Sequence, residues 1–102
     1  MNQDSIDRVT RGAAWLDEIE PGWERKLDLS TLDINDPNQC VCGQVFMSKV
    51  SSKHLNGYGY AREFLTAGQS YDSGFVLLRD GDTWVELVKQ RFDTGTLSDD
   101  KL

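Results

Sequence analysis

An amphipathic segment that ends at a helix-breaking pair constrains the fold of this chain more than any other feature. From Ile6 to Ile19 the apolar residues recur at spacings of three and four, which is typical of one face of an α-helix. Asp4 or Ser5 can cap the start of that helix, and Pro21-Gly22 predicts its end. The first predicted element is therefore a helix whose apolar face needs partners elsewhere in the sequence.

A segment rich in leucine and aspartate follows Trp23. Its apolar positions are Leu27, Leu29, Leu32 and Ile34, and they are interleaved with Asp28, Ser30, Asp33 and Asn35. Strict alternation fails after Leu29, so the pattern does not predict a regular strand. We interpret this connector as an extended segment or a series of short helical turns whose leucines pack on the core.

Two further helices are predicted in the middle of the chain. Asp36-Pro37, followed by Gln39, resembles a helix entry with a capping box, and it predicts a helix over residues 37–51. The valines of that stretch favour strand over helix. Asn56-Gly57 predicts another helix, which Gly68 would close.

The last third of the chain allows two interpretations. Thr83 as a cap, Glu86 three residues later and apolar residues at helical spacing predict a helix over residues 83–93. Asp80-Gly81 between two apolar runs is instead a hairpin signal. We favour the helix. The predicted fold class is mainly α, a small single-domain bundle of about four helices with the extended connector. The alternative is an α+β fold with a C-terminal hairpin in residues 75–93.

The length fits one domain. A chain of 102 residues can bury a single core without metal or disulfide support, and the sequence has no repeat, low-complexity tract or long linker. We therefore predict a single domain over residues 1–102, with its core between Ile6 and Phe92. The polar composition of residues 94–102 predicts a frayed tail.

Charge and composition argue against several classes of function. The net charge is −6, and an acidic chain repels nucleic acid over long range. No apolar run approaches the roughly 20 residues that span a bilayer, and the N-terminus lacks a signal-peptide pattern. The two cysteines, separated by one residue in a chain without a secretory signal, are typical of reduced thiols. We expect a cytoplasmic protein without membrane or nucleic-acid partners.

Several short motifs carry a resemblance. They are Gly12-Ala13-Ala14, Pro21-Gly22-Trp23, Asp28 to Asp33, Cys40 to Gln44, and Gly74-Phe75. Over about two thirds of its length the chain is similar to a group of small uncharacterised proteins encoded by actinobacteria and their phages. The resemblance implies a phage or prophage setting and a C-terminal helix. Small acidic proteins of that setting commonly bind a host or phage protein without catalysis.

Cys40, Cys42 and His54 are the residues that suggest a metal site. Structural zinc sites need four protein ligands and catalytic sites need three with water, and positions 40 and 42 of a helix would point about 200° apart. Buried structural thiols are the interpretation that we prefer. We expect His54 to cap a helix end or face solvent, because no local motif gives it a nucleophile.

We therefore predict no enzyme activity, no catalytic residue and no cofactor. A metal-binding module built on Cys40, Cys42 and His54 is kept as an alternative. The one basic-aromatic patch of the sequence consists of Lys49, Lys53, His54 and Arg62 with Tyr58 and Tyr60. Because these four charges are dispersed, we interpret the patch as a solvated edge with half-buried tyrosines rather than as a nucleic-acid site.

Tryptophans and acids near the end of the first helix predict a binding surface. Tryptophan is enriched at interface hot spots, although core packing is the alternative for each indole. We predict that a host or phage protein contacts Trp15, Asp17, Glu18, Glu20 and Trp23. The alternative function is a structural or assembly role in a virion, in which the same surface would mediate self-association into a symmetric homo-oligomer.

Overall fold

The computed structural model describes residues 2–93, which form helices, turns and loops without a β-strand in that range. The helices are α1 (Gln3–Ile19), α2 (Val41–Val45), α3 (Gly57–Ala61), α4 (Ala67–Asp72) and α5 (Asp80–Asp93), and 3₁₀ turns form at Trp23–Lys26 and Met47–Lys49. The prediction of a mainly helical bundle is confirmed, and the alternative hairpin in residues 75–93 is wrong. The tail predicted to fray, residues 94–102, lies outside the described residues.

The first helix, α1, forms as its periodicity predicts, but its cap differs. Asn2 is the N-cap and its side chain accepts the Ser5 N–H at 2.8 Å, so Asp4 and Ser5 lie inside the helix. The buried residues of α1 are Ser5, Arg8, Val9, Gly12, Ala13 and Leu16. The helix ends at Ile19, and the chain turns at Gly22 with φ +83°, which confirms the predicted stop.

The helix predicted over residues 37–51 is wrong at both ends. Asp36 caps no helix, because its side chain closes a turn by accepting the Asn38 N–H at 2.8 Å. The helix α2 starts only after Cys40, whose sulfur accepts the Gly43 N–H at 3.3 Å. A 3₁₀ turn replaces the end of the predicted helix. The β-branched valines that weakened the prediction agree with this short helix.

The helix predicted from Asn56 to Gly68 divides into α3 and α4. Asn56 caps α3 as predicted, by accepting the Gly59 N–H at 2.7 Å. Thr66 and Gln69 then form a capping box, which is a second start signal. Gly68 therefore lies inside α4 and closes no helix.

The last helix, α5, starts at Asp80, three residues before the predicted cap. Thr83 is buried inside the helix, so the predicted capping box is wrong. Trp84 is fully buried: its ring stacks on Phe75 with centroids 5.4 Å apart, and it meets Trp23 edge to face at 5.6 Å. The C-terminal helix thus supplies the centre of an aromatic core.

Helix α1 packs against both α5 and α4, and the core lies between these helices and α2. Connector residues Leu27, Leu29 and Leu32 pack on the edge of the core, which agrees with the role predicted for them. The buried apolar residues are Val9, Ala13, Leu16, Trp23, Ile34, Cys40, Val41, Cys42, Val45, Phe46, Ala61, Leu65, Phe75, Trp84 and Val88.

A buried ion pair joins α1 to the start of α5. Arg8 donates from Nε and one terminal nitrogen to the two carboxylate oxygens of Asp80, both at 2.8 Å, and Ser5 donates its hydroxyl to the same carboxylate. Asp80 is fully buried. Burial alone would raise the pKa of Asp80, but the bonds from Arg8 and Ser5 outweigh it and hold this pKa below its ordinary value. Both charges are therefore kept inside the fold.

Removing the carboxylate should destabilise the protein strongly, because Arg8 would keep a charge with no partner. For Asp80→Ala we expect the free energy of unfolding at neutral pH to fall by about 2–3 kcal/mol, since the Arg8 side chain still reaches solvent. The double variant Arg8→Met, Asp80→Leu should lose less than the single variant. Urea denaturation followed by circular dichroism measures both losses. An equal or larger loss in the double variant would contradict this account.

The same pair predicts how stability depends on pH. The folded pKa of Asp80 is lowered, so its contribution is complete above the unfolded value of about 3.9. That contribution is lost as the pH falls through the folded pKa. In urea denaturation at a series of acidic pH values, Asp80→Asn should show a shallower loss than wild type. Parallel profiles would contradict this assignment.

Gly12 should tolerate no side chain, because a Cβ there would overlap the Ser73 carbonyl oxygen and press on the Trp84 ring. We expect Gly12→Ala to cost about 1–3 kcal/mol of stability. Gly68→Ala is the matched control: the nearest atom to its new Cβ would be Thr66 Oγ1 at 3.9 Å, so it should raise stability slightly. Thermal unfolding measures both, and a gain in both variants would refute the close packing.

Candidate functional site: an apolar groove with an acidic rim

The structure does not bring the two predicted anchor tryptophans together at the surface. Trp15 is half-buried, and its ring meets Phe46 and Phe75 edge to face at 5.9 and 5.8 Å. Trp23 is fully buried. In this conformation both indoles pack in or against the core, as the core-packing alternative predicts. Contact of either indole with a partner stays a prediction.

Asp17 is the predicted acid that lies next to Trp23. It accepts the Trp23 Nε1–H at 2.9 Å and pairs with Arg91 of α5 through contacts of 2.9 and 3.1 Å. Arg91 also pairs with Glu24, and its guanidinium lies 5.4 Å from the Trp23 ring centroid. The hydrogen bond from Arg91 lowers the pKa of Asp17. This cluster joins α1, the first 3₁₀ turn and α5, so its charges compensate one another within the protein.

Glu20 and Glu18 have different surroundings. Glu20 is buried at the end of α1 and pairs with Lys26 and, at 3.5 Å, with Lys49. The hydrogen bond from Lys26 lowers the pKa of Glu20 in spite of its burial. Glu18 is exposed, and its side chain makes no hydrogen bond or ion pair to the residues described. Among the predicted acids, only Glu18 has no partner in the part of the chain that the structure describes.

Cys40 and Cys42 are buried thiols at the start of α2. Burial raises the pKa of Cys40 and raises that of Cys42 well above its ordinary value, so both stay protonated. Within residues 2–93, no group of three or more His, Cys, Asp or Glu side chains is placed to hold a metal ion. The geometry therefore does not support the alternative of a metal-binding module.

His54 is buried, contrary to the expectation that it caps a helix or faces solvent. Its Nδ1 accepts the Ser51 N–H at 3.0 Å, and its Nε2 lies 2.9 Å from Glu63 Oε2. The hydrogen bond with His54 lowers the pKa of Glu63. Both ring nitrogens thus face groups of the fold, which leaves His54 in a structural position.

A groove lies between the connector and the segment that leads into α5. It consists of two adjoining cavities of about 330 and 250 Å³ that share Ile34. The first is mainly apolar, with Pro37, Tyr58, Phe75 and Val76 in its lining. The second is mixed, with Leu29, Leu32, Leu78 and Val85 beside Asp33, Gly81 and Asp82. Val76 and Leu78 are 41% and 61% exposed, so much of this apolar surface faces solvent.

Gln44 of α2 fixes the connector that forms one wall of the groove. The side chain is buried, and its Oε1 accepts the Asp28 N–H at 2.6 Å. Its Nε2 donates to the carbonyl oxygens of Asp28 and Gln39 at 3.2 and 3.0 Å. One amide thus supplies the backbone partners that the connector would otherwise find in a sheet.

Aspartates bend the connector into short turns. Asp28 accepts the N–H and the hydroxyl of Ser30 at 3.0 and 2.6 Å, and the hydroxyl bond lowers the pKa of Asp28. Asp33 and Asp36 each accept the N–H two residues further on, at 3.0 and 2.8 Å. These are Asx turns, and they explain why the apolar residues fail to alternate strictly. The connector is predicted from its sequence to be an extended segment or a series of short helical turns with its leucines on the core; the structure has turns, and the leucines pack on the core.

Carboxylates rim the groove. Asp33 and Asp82 line the second cavity, and Asp36, which lines neither cavity, directly precedes Pro37 of the first in the sequence. Among the described residues, no lysine or arginine pairs with any of these three carboxylates, which we call the acidic rim. Residues 27–48 contain three acids and no base. The opposite wall carries one base, Arg79, which follows Leu78, so the acids outnumber the bases around the groove. The groove therefore favours ligands that combine apolar and basic groups.

Neither a protein-family model, nor a curated protein, nor a solved structure matches the chain. In the part of the chain that the structure describes, none of the helices has the length and apolar character needed to cross a bilayer. The site is thus defined by its geometry alone.

Sequence reasoning missed the groove because its walls come from three distant segments. The leucines of the connector predict packing on the core, and Val76 and Leu78 belong to the stretch for which the sequence allows a helix or a hairpin. One signal was available: residues 27–48 carry acids without a single base while their leucines recur. That combination marks a wall with an apolar face and an uncompensated charge.

Loss of the Gln44 amide should release the connector wall. In Gln44→Met the Asp28 N–H loses its acceptor while side-chain volume is nearly kept, so we expect stability to fall by about 1–3 kcal/mol. The Asp28 amide should exchange with solvent about tenfold faster or more, measured by NMR. Gln3→Met, at an exposed position of α1, is the control and should change neither value. Unchanged exchange at Asp28 would refute this role of Gln44.

Proposed function

We propose that the protein acts by binding another protein, without catalysing a reaction, and that the groove receives a partner segment with apolar and basic side chains. The observation that carries the proposal is the combination of exposed Val76 and Leu78 with an acidic rim that pairs with no lysine or arginine among the described residues. A surface with both properties binds water poorly at its floor and attracts cations at its edge.

The apolar floor supports binding by its shape. The first cavity, of about 330 Å³, is lined by Tyr58 and Phe75, so a partner side chain inserted there would lose part of its contact with water. Interface energy concentrates in such central pockets, where a few anchors supply most of the affinity. We therefore assign the main contribution to the affinity to an apolar or aromatic anchor in this cavity.

The acidic rim supports selectivity. Asp33, Asp36 and Asp82 would attract lysine or arginine side chains that flank the anchor, and rim charges chiefly set encounter rate and orientation. They would also repel an acidic competitor. Such an interaction weakens as salt is added, because exposed charges are screened.

The resemblance to small proteins of actinobacteria and their phages supports the choice of partner. On that basis we propose a bacteriophage or prophage protein that works in the host cytoplasm and binds a host or phage protein. Glu18 and the half-buried Trp15 belong to the surface predicted from the sequence, and they stay candidates for a second contact.

Selection from a random peptide library on the immobilised protein tests this proposal. We expect enriched peptides to carry an apolar or aromatic residue flanked by lysine or arginine. Val76→Arg, which fills the first cavity and adds a positive charge, should weaken their binding about tenfold or more. Their affinity for wild type should also fall with added salt.

Ile19→Arg is the matched control for the groove variant. Ile19 is 38% exposed, close to the 41% of Val76, but it lies at the end of α1 and lines neither cavity of the groove. This variant should bind the peptides as wild type does. Enrichment of acidic peptides, or equal binding by Val76→Arg, would overturn the proposal.

A further inference from the structure

Leu55 is the one described residue other than glycine that has a positive φ, 68°. L-amino acids with large side chains rarely adopt this left-handed conformation, since the Cβ crowds the backbone. The side chain is also 88% exposed, so the conformation gains no burial in return. An exposed leucine in a strained conformation does not serve the stability of the monomer, which indicates a role in binding.

The neighbours of Leu55 hold the loop of residues 51–56 in place. His54 is buried beside Glu63, and its carbonyl oxygen accepts the Asn56 N–H at 2.8 Å. Asn56 in turn caps α3 through the Gly59 N–H. The residues on either side of Leu55 are therefore both anchored, and the leucine is presented to solvent on a defined loop.

The loop that carries Leu55 also carries a base, Lys53, which is opposite in charge to the acidic rim. Of the three bases in residues 47–62, Lys49 pairs with Glu20 and Lys53 pairs with Glu63, the acid that follows this stretch. The Lys53 side chain is 70% exposed, and within residues 2–93 its ion pair is a 3.5 Å contact with exposed Glu63. An exposed pair of this kind contributes little to stability, so Lys53 can exchange it for another carboxylate at small cost.

We infer that the groove receives the Leu55 loop of a second copy of this chain. Leu55 supplies the apolar anchor and Lys53 the basic flank that the groove and its acidic rim favour. This inference rests on the proposed function, because it uses the same groove and names its partner.

The loop and the groove border each other, which permits a reciprocal contact. Tyr58 lines the first cavity and follows Leu55 by three residues, a span of at most about 11 Å. Two copies related by a two-fold axis can then each place a loop in the other's groove. In such a dimer both grooves and both loops are occupied, so no copy of these surfaces is left for a third chain, as in most homodimers.

Sedimentation velocity over a wide range of concentrations tests for this dimer. Wild type should dimerise, and Leu55→Asn should weaken dimerisation about tenfold or more while its melting temperature as a monomer stays equal or rises, since asparagine tolerates positive φ. Ile19→Gln, which alters another partly exposed apolar residue, should dimerise like wild type. A monomeric wild type, or a Leu55→Asn protein that dimerises normally, would overturn the inference.

A charge exchange identifies the two surfaces. The variant Asp33→Lys, Asp36→Lys and the variant Lys53→Glu should each dimerise more weakly than wild type, because each opposes like charges across both contacts. Their mixture should form a heterodimer, in which both contacts again join opposite charges. Failure of the mixture to recover would contradict the pairing of this loop with this groove.

Because Asp33 and Asp36 also close turns, the neutral variant Asp33→Asn, Asp36→Asn serves as a second test. Asparagine keeps the oxygen that accepts each turn N–H, so the wall should keep its shape while the rim loses charge. We expect weaker dimerisation with an unchanged melting temperature of the monomer, measured at low concentration; unchanged dimerisation would refute the role of the rim. If wild type is monomeric yet still selects basic apolar peptides, this inference fails and the proposed function stands.

Discussion

The buried ion pair of Arg8 and Asp80 is the contact on which the arrangement of the helices depends. It ties the first residue of α5 to the second turn of α1, and Arg8 also lies over the Tyr71 ring of α4 at 5.7 Å. Because Val76 and Leu78 lie just before Asp80, the same pair holds one wall of the groove. The interaction that orients the helices therefore also positions the surface that we propose for binding.

Gln44 fixes the connector wall of the groove, as the Arg8–Asp80 pair fixes the wall that contains Val76 and Leu78. The connector has few regular backbone hydrogen bonds of its own, and the buried amide of Gln44 supplies an acceptor and a donor to it. Each wall is thus attached to the core by a buried polar side chain rather than by a sheet. The two walls meet at Ile34, which lies in both cavities and in the core.

The sequence predicted the fold class and the stop after α1, because those depend on local periodicity and on a helix-breaking pair. It misplaced the caps of α1 and α5, since Ser5 and Asp80 are used in a contact between residues 75 positions apart. The sequence predicts that Trp23 and Glu20 contact a partner. Both are buried, because Trp23 packs on Trp84 and Glu20 pairs with Lys26, and local sequence does not reveal these contacts. The groove has no local signature because its walls come from separate segments.

The exposed side chains of the groove carry none of the contacts that hold its walls. Val76 and Leu78 lie outside the core cluster, while Arg8, Asp80 and Gln44 provide the attachments. Substitutions on the floor can therefore alter which anchor is accepted at little expense to folding. Substitutions on such a surface can match substitutions in a partner without changing the packing of the helices beneath it.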